Sequence, residues 1–191
     1  KIDEASVALN PMGIVEMYTE EIGRSVAVKV DTDIGTALDG TSSTARGTDN
    51  VAVTDDIIRQ AKEDLDTGKV PSAGRILAVS PATYNDMMSV DRYMNSLYAS
   101  SLKNLDGSKG AGFAGELYDF SIYKTTNLPA GSSGKKNFMY EKTGIAVAMN
   151  KNITVQRRQP HDEIASNAVI TWCLYGVKLM RSASVIEIDG R

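Results

Sequence analysis

The feature that most constrains this chain is one long periodic stretch, from Asn10 to about Leu38. Asn10 suits an N-cap and Pro11 the first helical position. Val15, Tyr18, Ile22, Val26 and Val30 fall within one ~120° stripe at 100° per residue. Glu16, Glu20, Arg24 and Asp31 lie opposite, and Glu20 with Arg24 forms a favourable i,i+4 pair. The spacing predicts a helix of about 28 residues, a rod of ~42 Å. A compact globule of 191 residues has a radius of gyration near ~16 Å, so a diameter of only ~42 Å. Such a helix crosses the whole molecule, which a flat or elongated subunit requires and a spherical monomer does not. Gly13, Gly23 and Gly35 each cost about 1 kcal/mol against Ala, so packing within or between subunits must stabilise it.

Composition narrows the classes. The hydrophobic fraction of 42% and charged fraction of 24% are those of an ordinary globular chain, one large domain or two small ones. No apolar run approaches the ~18 residues of a membrane helix, so no membrane partner is expected. The net charge of −3 lacks the basic excess of a protein built to grip nucleic acid. The single Cys and single His exclude an internal disulfide framework, a multi-cysteine zinc site and any site needing two histidines from this chain. No signal or transit peptide is visible. The chain opens at Lys1 without an initiator Met, inside what reads as continuous structure, so a fragment or processed product is expected.

Residues 39–50 read as a polar loop. Thr54 caps a second helix with Ile57, Ile58, Ala61 and Leu65 along one side, and Gly68 stands where a C′ glycine belongs. Residues 76–79 form a short buried strand. Ser80-Pro81 opens a third helix through about Met88, and a fourth helical stretch covers about Asp91 to Leu102. Residues 104–115 read as a glycine-rich mobile loop, 118–123 as a strand and 129–137 as a second flexible loop. Residues 145–149 and 153–159 are strands separated by Asn150-Lys151-Asn152, a hairpin signal. Asn167 to Met180 and 185–188 are also strands. The fold class is α+β rather than a regular βαβα alternation.

The candidate chemistry is thin. Gly110 to Gly115 matches GxGxxG, but a dinucleotide site needs a strand before it and a helix after it; here a polar loop precedes and a strand follows. His161, Asp162 and Glu163 follow Pro160 and read as a solvated turn, without the nucleophile of a triad or the ligand number of a zinc site. Cys173 lies in an apolar run and reads as a small buried hydrophobe. Asn152-Ile153-Thr154 is a chance sequon. Lys135-Lys136 and Arg157-Arg158 are basic pairs, too few for a nucleic-acid footprint. Asp31 and Asp33 sit near the C-terminal end of the long helix, where the macrodipole disfavours them and a basic partner elsewhere, on this or another subunit, is expected. The eight methionines form no stripe and read as adaptable contacts. No catalytic, cofactor or metal site is expected.

Three stretches carry a family resemblance. In 53–90, a helix leads through Val70, Pro71, Gly74 and Arg75 into an apolar strand that ends in Ser80, Pro81 and Tyr84. Residues 115–129 (GELYDFSIYKTTNLP) are similar to a "G...G..v..s.nlp" strand. In 140–188, YEKTGIAVAMNKNITVQRRQ resembles a long hairpin, and Leu174-Tyr175-Gly176-Val177 with VIEI resembles closing strands. Together these resemble the major capsid proteins of tailed bacteriophages, whose capsid fold is shared with encapsulins.

The resemblance implies a flat subunit with a spine helix, here about 10–38. It implies a peripheral (P) domain of 1–48 and 144–160 and an axial (A) domain of 49–143 and 161–191. It implies a structural, non-enzymatic protein that forms pentamers and hexamers in an icosahedral shell around double-stranded DNA, assembled in the bacterial host cytoplasm. Portal, scaffold and decoration proteins would be its partners, with only non-specific proximity to DNA. Glu20, Arg24, Lys29, Arg157 and Arg158 are the candidate intersubunit contacts, while Ile22 and Val26 are expected to pack inside. The family's N-terminal arm and E-loop are not in this sequence and are expected before Lys1. The alternatives are an encapsulin-type shell around a cargo enzyme and, from a different class, a soluble α+β enzyme or ligand-binding domain.

Overall fold

The computed structural model describes residues 2–3, 14–41, 43–90, 93, 112–158 and 166–191. The expected helix start at Asn10 and Pro11, all of the fourth helix over 91–102 but Tyr93, most of the 104–115 loop, and His161, Asp162 and Glu163 lie outside the described residues. In chain order the elements are β1 (Ile2–Asp3), α1 (Ile14–Asp39), β2 (Arg46–Gly47), α2 (Asp55–Thr67), β3 (Arg75–Val79), α3 (Pro81–Met88), β4 (Phe113–Leu117), β5 (Phe120–Lys124), β6 (Lys135–Glu141), β7 (Ile145–Arg158), β8 (Ser166–Leu179) and β9 (Val185–Gly190). They form two compact units, Lys1–Asp33 with Val147–Gly176, and Ile34–Ala146 with Val177–Arg191.

The larger unit is built on a mixed sheet in the order β2-β9-β6-β3-β5-β4. Its middle strands are buried on both faces, which is why residues 76–79 read as one continuous apolar run. Leu77, Val79, Met139, Ile186 and Ile188 enter a core with Ile58, Ala61 and Leu65 of α2 and Met87 of α3. The alternate residues Ala78, Phe138 and Val185 enter a second core with Leu38, against which Ile34 packs. The sheet period of two thus feeds two cores. Each fully buried Leu, Ile or Phe contributes ~1.5–3 kcal/mol.

The turn from α2 into β3 is closed by one buried arginine. Arg75 is 2% exposed. Its Nε donates to the Pro71 carbonyl at 2.9 Å and its Nη2 to the Val70 carbonyl at 2.6 Å, with the Asp66 carboxylate 2.7 Å from Nη2. This is the physical content of the Val-Pro…Gly-Arg pattern: a guanidinium satisfying carbonyls that a tight turn would leave bare.

α2 ends in a Schellman arrangement. The Val70 N–H donates to the Leu65 carbonyl at 3.1 Å and the Lys69 N–H to the Asp66 carbonyl at 3.0 Å. The left-handed C′ position is therefore Lys69, at φ 53°, and Gly68 is the C-cap at φ −70°. The expected C′ glycine is displaced by one residue, because burial of Val70 beside Leu65 sets where the helix stops. Thr54 takes the N-cap backbone of α2 without a side-chain cap bond, whereas the Ser80 hydroxyl caps α3 by accepting from the Thr83 N–H.

Three loop expectations are revised. Tyr118 and Asp119 are not strand: both are left-handed, at φ 48° and 70°, and make the two-residue turn between β4 and β5. That geometry matches the twist of a hairpin. The Tyr118 hydroxyl donates to Asp55 at 2.9 Å, holding the turn against the start of α2. Residues 113–115 belong to β4 rather than to the glycine-rich loop. Residues 135–137 belong to β6, and Asp49 accepts from the backbone of Ser133 and Gly134 at 2.6 and 3.0 Å. Two interactions draw this segment into the sheet. Lys136 Nζ lies 2.6 Å from Asp39 and 2.9 Å from Glu187. Asn137 is wholly buried and accepts from the Ser80 N–H at 2.7 Å.

The expected hairpin at Asn150-Lys151-Asn152 does not exist. β7 runs unbroken over 14 residues beside β8, in a sheet ordered β1-β8-β7. A three-residue hairpin loop normally needs a left-handed residue, and none of the three adopts that conformation. The alternation instead continues through them.

Candidate assembly surface

The smaller unit contains α1 up to Asp33 and most of β7 and β8. On α1, Val30 is buried and Ile22, Val26 and Asp33 are half-buried. Met17, Tyr18 and Val28 are exposed. Tyr18 thus departs from the expected seam, being 54% exposed.

β8 alternates. Ala168, Val169, Thr171, Cys173 and Tyr175 are half-buried, and Ile170, Trp172 and Leu174 between the last four are exposed. Cys173 is therefore a half-buried free thiol rather than a core residue. The Tyr175 hydroxyl donates to Asp33 Oδ2 at 2.6 Å, and Lys29 Nζ donates to Asp33 Oδ1 at 2.6 Å. The Lys29 ammonium first, and the Tyr175 hydroxyl second, hold the Asp33 carboxyl below its ordinary value. Donation to that carboxylate in turn pushes the Tyr175 phenol up to about 12. The base that meets Asp33 is thus Lys29, one turn earlier on the same helix, and not the partner elsewhere that was expected.

The opposite face of the ribbon carries a pattern that the hairpin expectation concealed. On β8, Ile170, Trp172 and Leu174 are exposed. On β7, Val147, Met149, Ile153 and Val155 are exposed at alternate positions. Lys151 Nζ lies 4.7 Å from the Trp172 ring centroid, which puts the two sets on one face. The period-2 signal in 147–155 could have revealed this apolar row, but a hairpin placed at 150–152 split it.

The candidate intersubunit contacts fall as follows. Glu20 and Arg24 are exposed on α1, 4.0 Å apart. Lys29 is exposed and paired with Asp33. Arg158 ends β7 and is exposed; Arg157 precedes it on the same strand. The structure brings Glu20 and Arg24 together but pairs Lys29 elsewhere.

In the larger unit, an open hollow of about 650 Å³ lies beside α2, lined by Asp56, Arg59, Lys62, Glu63, Asp66 and Asp119 among others. Its charges are mixed, and Asp56–Arg59 and Lys62–Asp66 pair along the helix, so it presents no convergent catalytic set. Among the described residues no cluster of three or more His, Cys, Asp or Glu is arranged to hold a metal. Nor, among them, is any helix long and apolar enough to cross a membrane. Phe113 to Gly115 lie in a strand, where a dinucleotide motif would open a helix.

A family model described as "Phage capsid protein" matches residues 3–187. The chain belongs to the phage capsid protein family. No curated protein sequence matches it. Among solved structures, a chain from Mycobacterium phage Che8 is 20% identical at a TM-score of 0.74, covering 92% of this chain and 64% of its own length. A chain of the cyanophage P-SCSP1u capsid is 14% identical at 0.70, covering 100% and 70%. One from the mature capsid of bacteriophage PhiM1 is 16% identical at 0.67, covering 98% and 68%. A virus-like particle from Pyrococcus furiosus is more distant, 11% identical at 0.51. This phage capsid protein therefore has the α+β fold of assembled capsid subunits, and it spans about two thirds of the length of those phage chains.

Proposed function

We propose that this chain is a structural subunit that self-assembles through pentamers and hexamers into an icosahedral shell around viral double-stranded DNA. The observation that carries the proposal is the family match over residues 3–187, borne by a chain with the capsid fold. One property supports it: a net charge of −3 suits a shell that faces packed DNA without reading its sequence. Portal, scaffold and decoration proteins are the further partners, the host cytoplasm the site of assembly and the virion capsid the destination. Glu20, Arg24, Lys29, Arg157 and Arg158 are proposed as polar intersubunit contacts. The P domain is proposed as 1–48 with 144–160, and the A domain as 49–143 with 161–191. The compact units differ from that division by assigning 34–48 and 144–146 to the larger unit and 161–176 to the smaller.

The similarity to the Pyrococcus furiosus particle favours one second reading, an encapsulin-type shell around protein cargo. Electron microscopy of particles purified from expressing cells, with nucleic-acid quantification, separates the two. DNA-filled icosahedral particles are the expected result. Protein-filled particles would replace the viral reading, and a chain that stays monomeric at high concentration would end both.

A further inference from the structure

Four cations from three separated segments meet at one end of the larger unit. The Arg181 N–H donates to the Gly144 carbonyl at 3.2 Å, and its Nη2 donates to the Gly68 carbonyl at 3.2 Å, beside Lys69. The Lys142 N–H donates to the Gly74 carbonyl at 3.3 Å, two residues before Gly144. Lys178 stands on β8 one alternation before Met180, whose N–H reaches the same Gly144 carbonyl at 2.8 Å. All four side chains are exposed.

The charge at this end is uncompensated. Residues 68–74, 142–147 and 177–184 contain these four bases and no acid. The acids that flank them are engaged elsewhere. Asp64 pairs with Arg46, and Asp66 with Arg75 and Lys62. Glu141 is 4% exposed and accepts from the Thr143 N–H. Glu187 pairs with Lys136. Glu63 lies on the hollow side of α2 with Arg59 and Lys62. Among the described residues, none of the four bases has a carboxylate at ion-pair distance. Lys69 and Arg181 also offset the negative end of α2, but a helix end carries only about half a charge, so most of theirs is left for a partner.

We infer that Lys69, Lys142, Lys178 and Arg181 form a contact patch for the phosphate backbone of duplex DNA. The inference rests on the shell reading, which supplies the DNA.

The net charge of −3 does not oppose this, because charges more than ~8 Å away are screened at physiological ionic strength and the local set decides. The four bases come from separate segments and do not converge on one point, which suits a repeating polyanion better than a single small anion. Three are lysines, point charges on flexible stems that meet phosphate without a fixed geometry. The three segments hold no Asn or Gln to read a base edge, so the contact positions the duplex without selecting sequence.

The test measures binding of the full chain to a fluorescein-labelled duplex of random sequence, by anisotropy across a salt series. Four phosphate contacts at ~0.9 each give a slope of log K against log salt near −3.6, or a loss of about 100-fold in affinity between 50 and 200 mM salt. The triple variant Lys69→Gln, Lys142→Gln, Lys178→Gln should bring the slope to about −1. Arg59→Gln, on the hollow side of α2, should leave affinity within about 2-fold. Far-UV circular dichroism checks that each variant is folded, and the wild-type salt slope is read without them. A wild-type slope near zero, or a triple variant that keeps the wild-type slope, would overturn the inference and leave the shell reading intact. Preference for a labelled polyglutamate over the duplex would also overturn it, by assigning the patch to an acidic protein. Particle formation is read separately by electron microscopy: a wild type that never forms particles would end the shell reading, and the duplex as partner with it.

Discussion

Replacing Arg75 by Ala should open the α2–β3 turn, and the structure sets the size of the effect. The guanidinium is 2% exposed and donates to the carbonyls of Val70 and Pro71. The Val70 carbonyl, left buried without its donor, costs ~1–3 kcal/mol, and the part-buried Pro71 carbonyl, which water can reach, costs less. The guanidinium also lies 5.7 Å from the Phe120 ring centroid, a contact of ~0.5–2 kcal/mol. The ion pair with Asp66 adds little, because that carboxylate is 47% exposed and rehydrates when its partner goes. The total is about 2–5 kcal/mol, and the bare Val70 carbonyl is its largest part. Hydrogen exchange followed on the peptide spanning Arg75–Val79 is the appropriate assay, since it reports the local opening. At ~1.4 kcal/mol per decade, exchange should accelerate by roughly 30-fold to 10³-fold or more. Asp66→Asn should change it by clearly less than Arg75→Ala does, because the guanidinium keeps both carbonyls and the asparagine oxygen still accepts from it. An Asp66→Asn effect as large as that of Arg75→Ala would refute the reasoning, since the ion pair and not the carbonyl bonds would then close the turn.

Lys69→Gly should stabilise the larger unit by about 0.5 kcal/mol, because glycine takes the φ of 53° without a Cβ penalty; a lower thermal midpoint would contradict this. Asn137→Ala leaves the Ser80 N–H without its acceptor and the Ile188 carbonyl without its 3.2 Å donor, both buried. It should cost about 2–4 kcal/mol, read as a fall of several degrees in the melting midpoint. Asp33→Asn should bring the Tyr175 phenol down from about 12 toward its ordinary value near 10, visible as phenolate absorbance at 295 nm. The sign follows from linkage. The Tyr175–Asp33 contact stabilises fully below the unfolded phenol value and is lost as pH rises through about 12. The lowered Asp33 carboxyl loses its own share as pH falls through the acid range. A Tyr175 midpoint unmoved in Asp33→Asn would remove the contact from the account.

Periodicity and end signals were legible wherever one residue type forces one backbone. Ser80-Pro81 opened α3 where expected, and the run at 76–79 was a strand buried on both sides. Thr54 marked the start of α2. The same local reasoning failed where a distant partner decided the outcome. Lys136 and Asn137 look like loop residues by composition, yet ion pairs from Lys136 to Asp39 and Glu187 and a hydrogen bond from the Ser80 N–H to the Asn137 side-chain oxygen draw them into β6. Asn150-Lys151-Asn152 looks like a turn, yet β8 supplies a full-length neighbour and the strand continues.

The candidate surface divides in the same way. That α1 presents Glu20, Arg24 and Lys29 outward follows from helical spacing alone. Which way β7 and β8 turn does not, because a strand with apolar residues at every second position is the same string whether that face is covered or bare. The sequence by itself therefore determined the α+β class, the long helix, the lack of a histidine or cysteine cluster and the family pattern, all consequences of local spacing and residue count. Only the tertiary structure decided that Arg75 closes a turn, that Lys69 rather than Gly68 takes the left-handed position, and that the Trp172 face lies open. Each of those depends on which distant atoms come within a few ångströms.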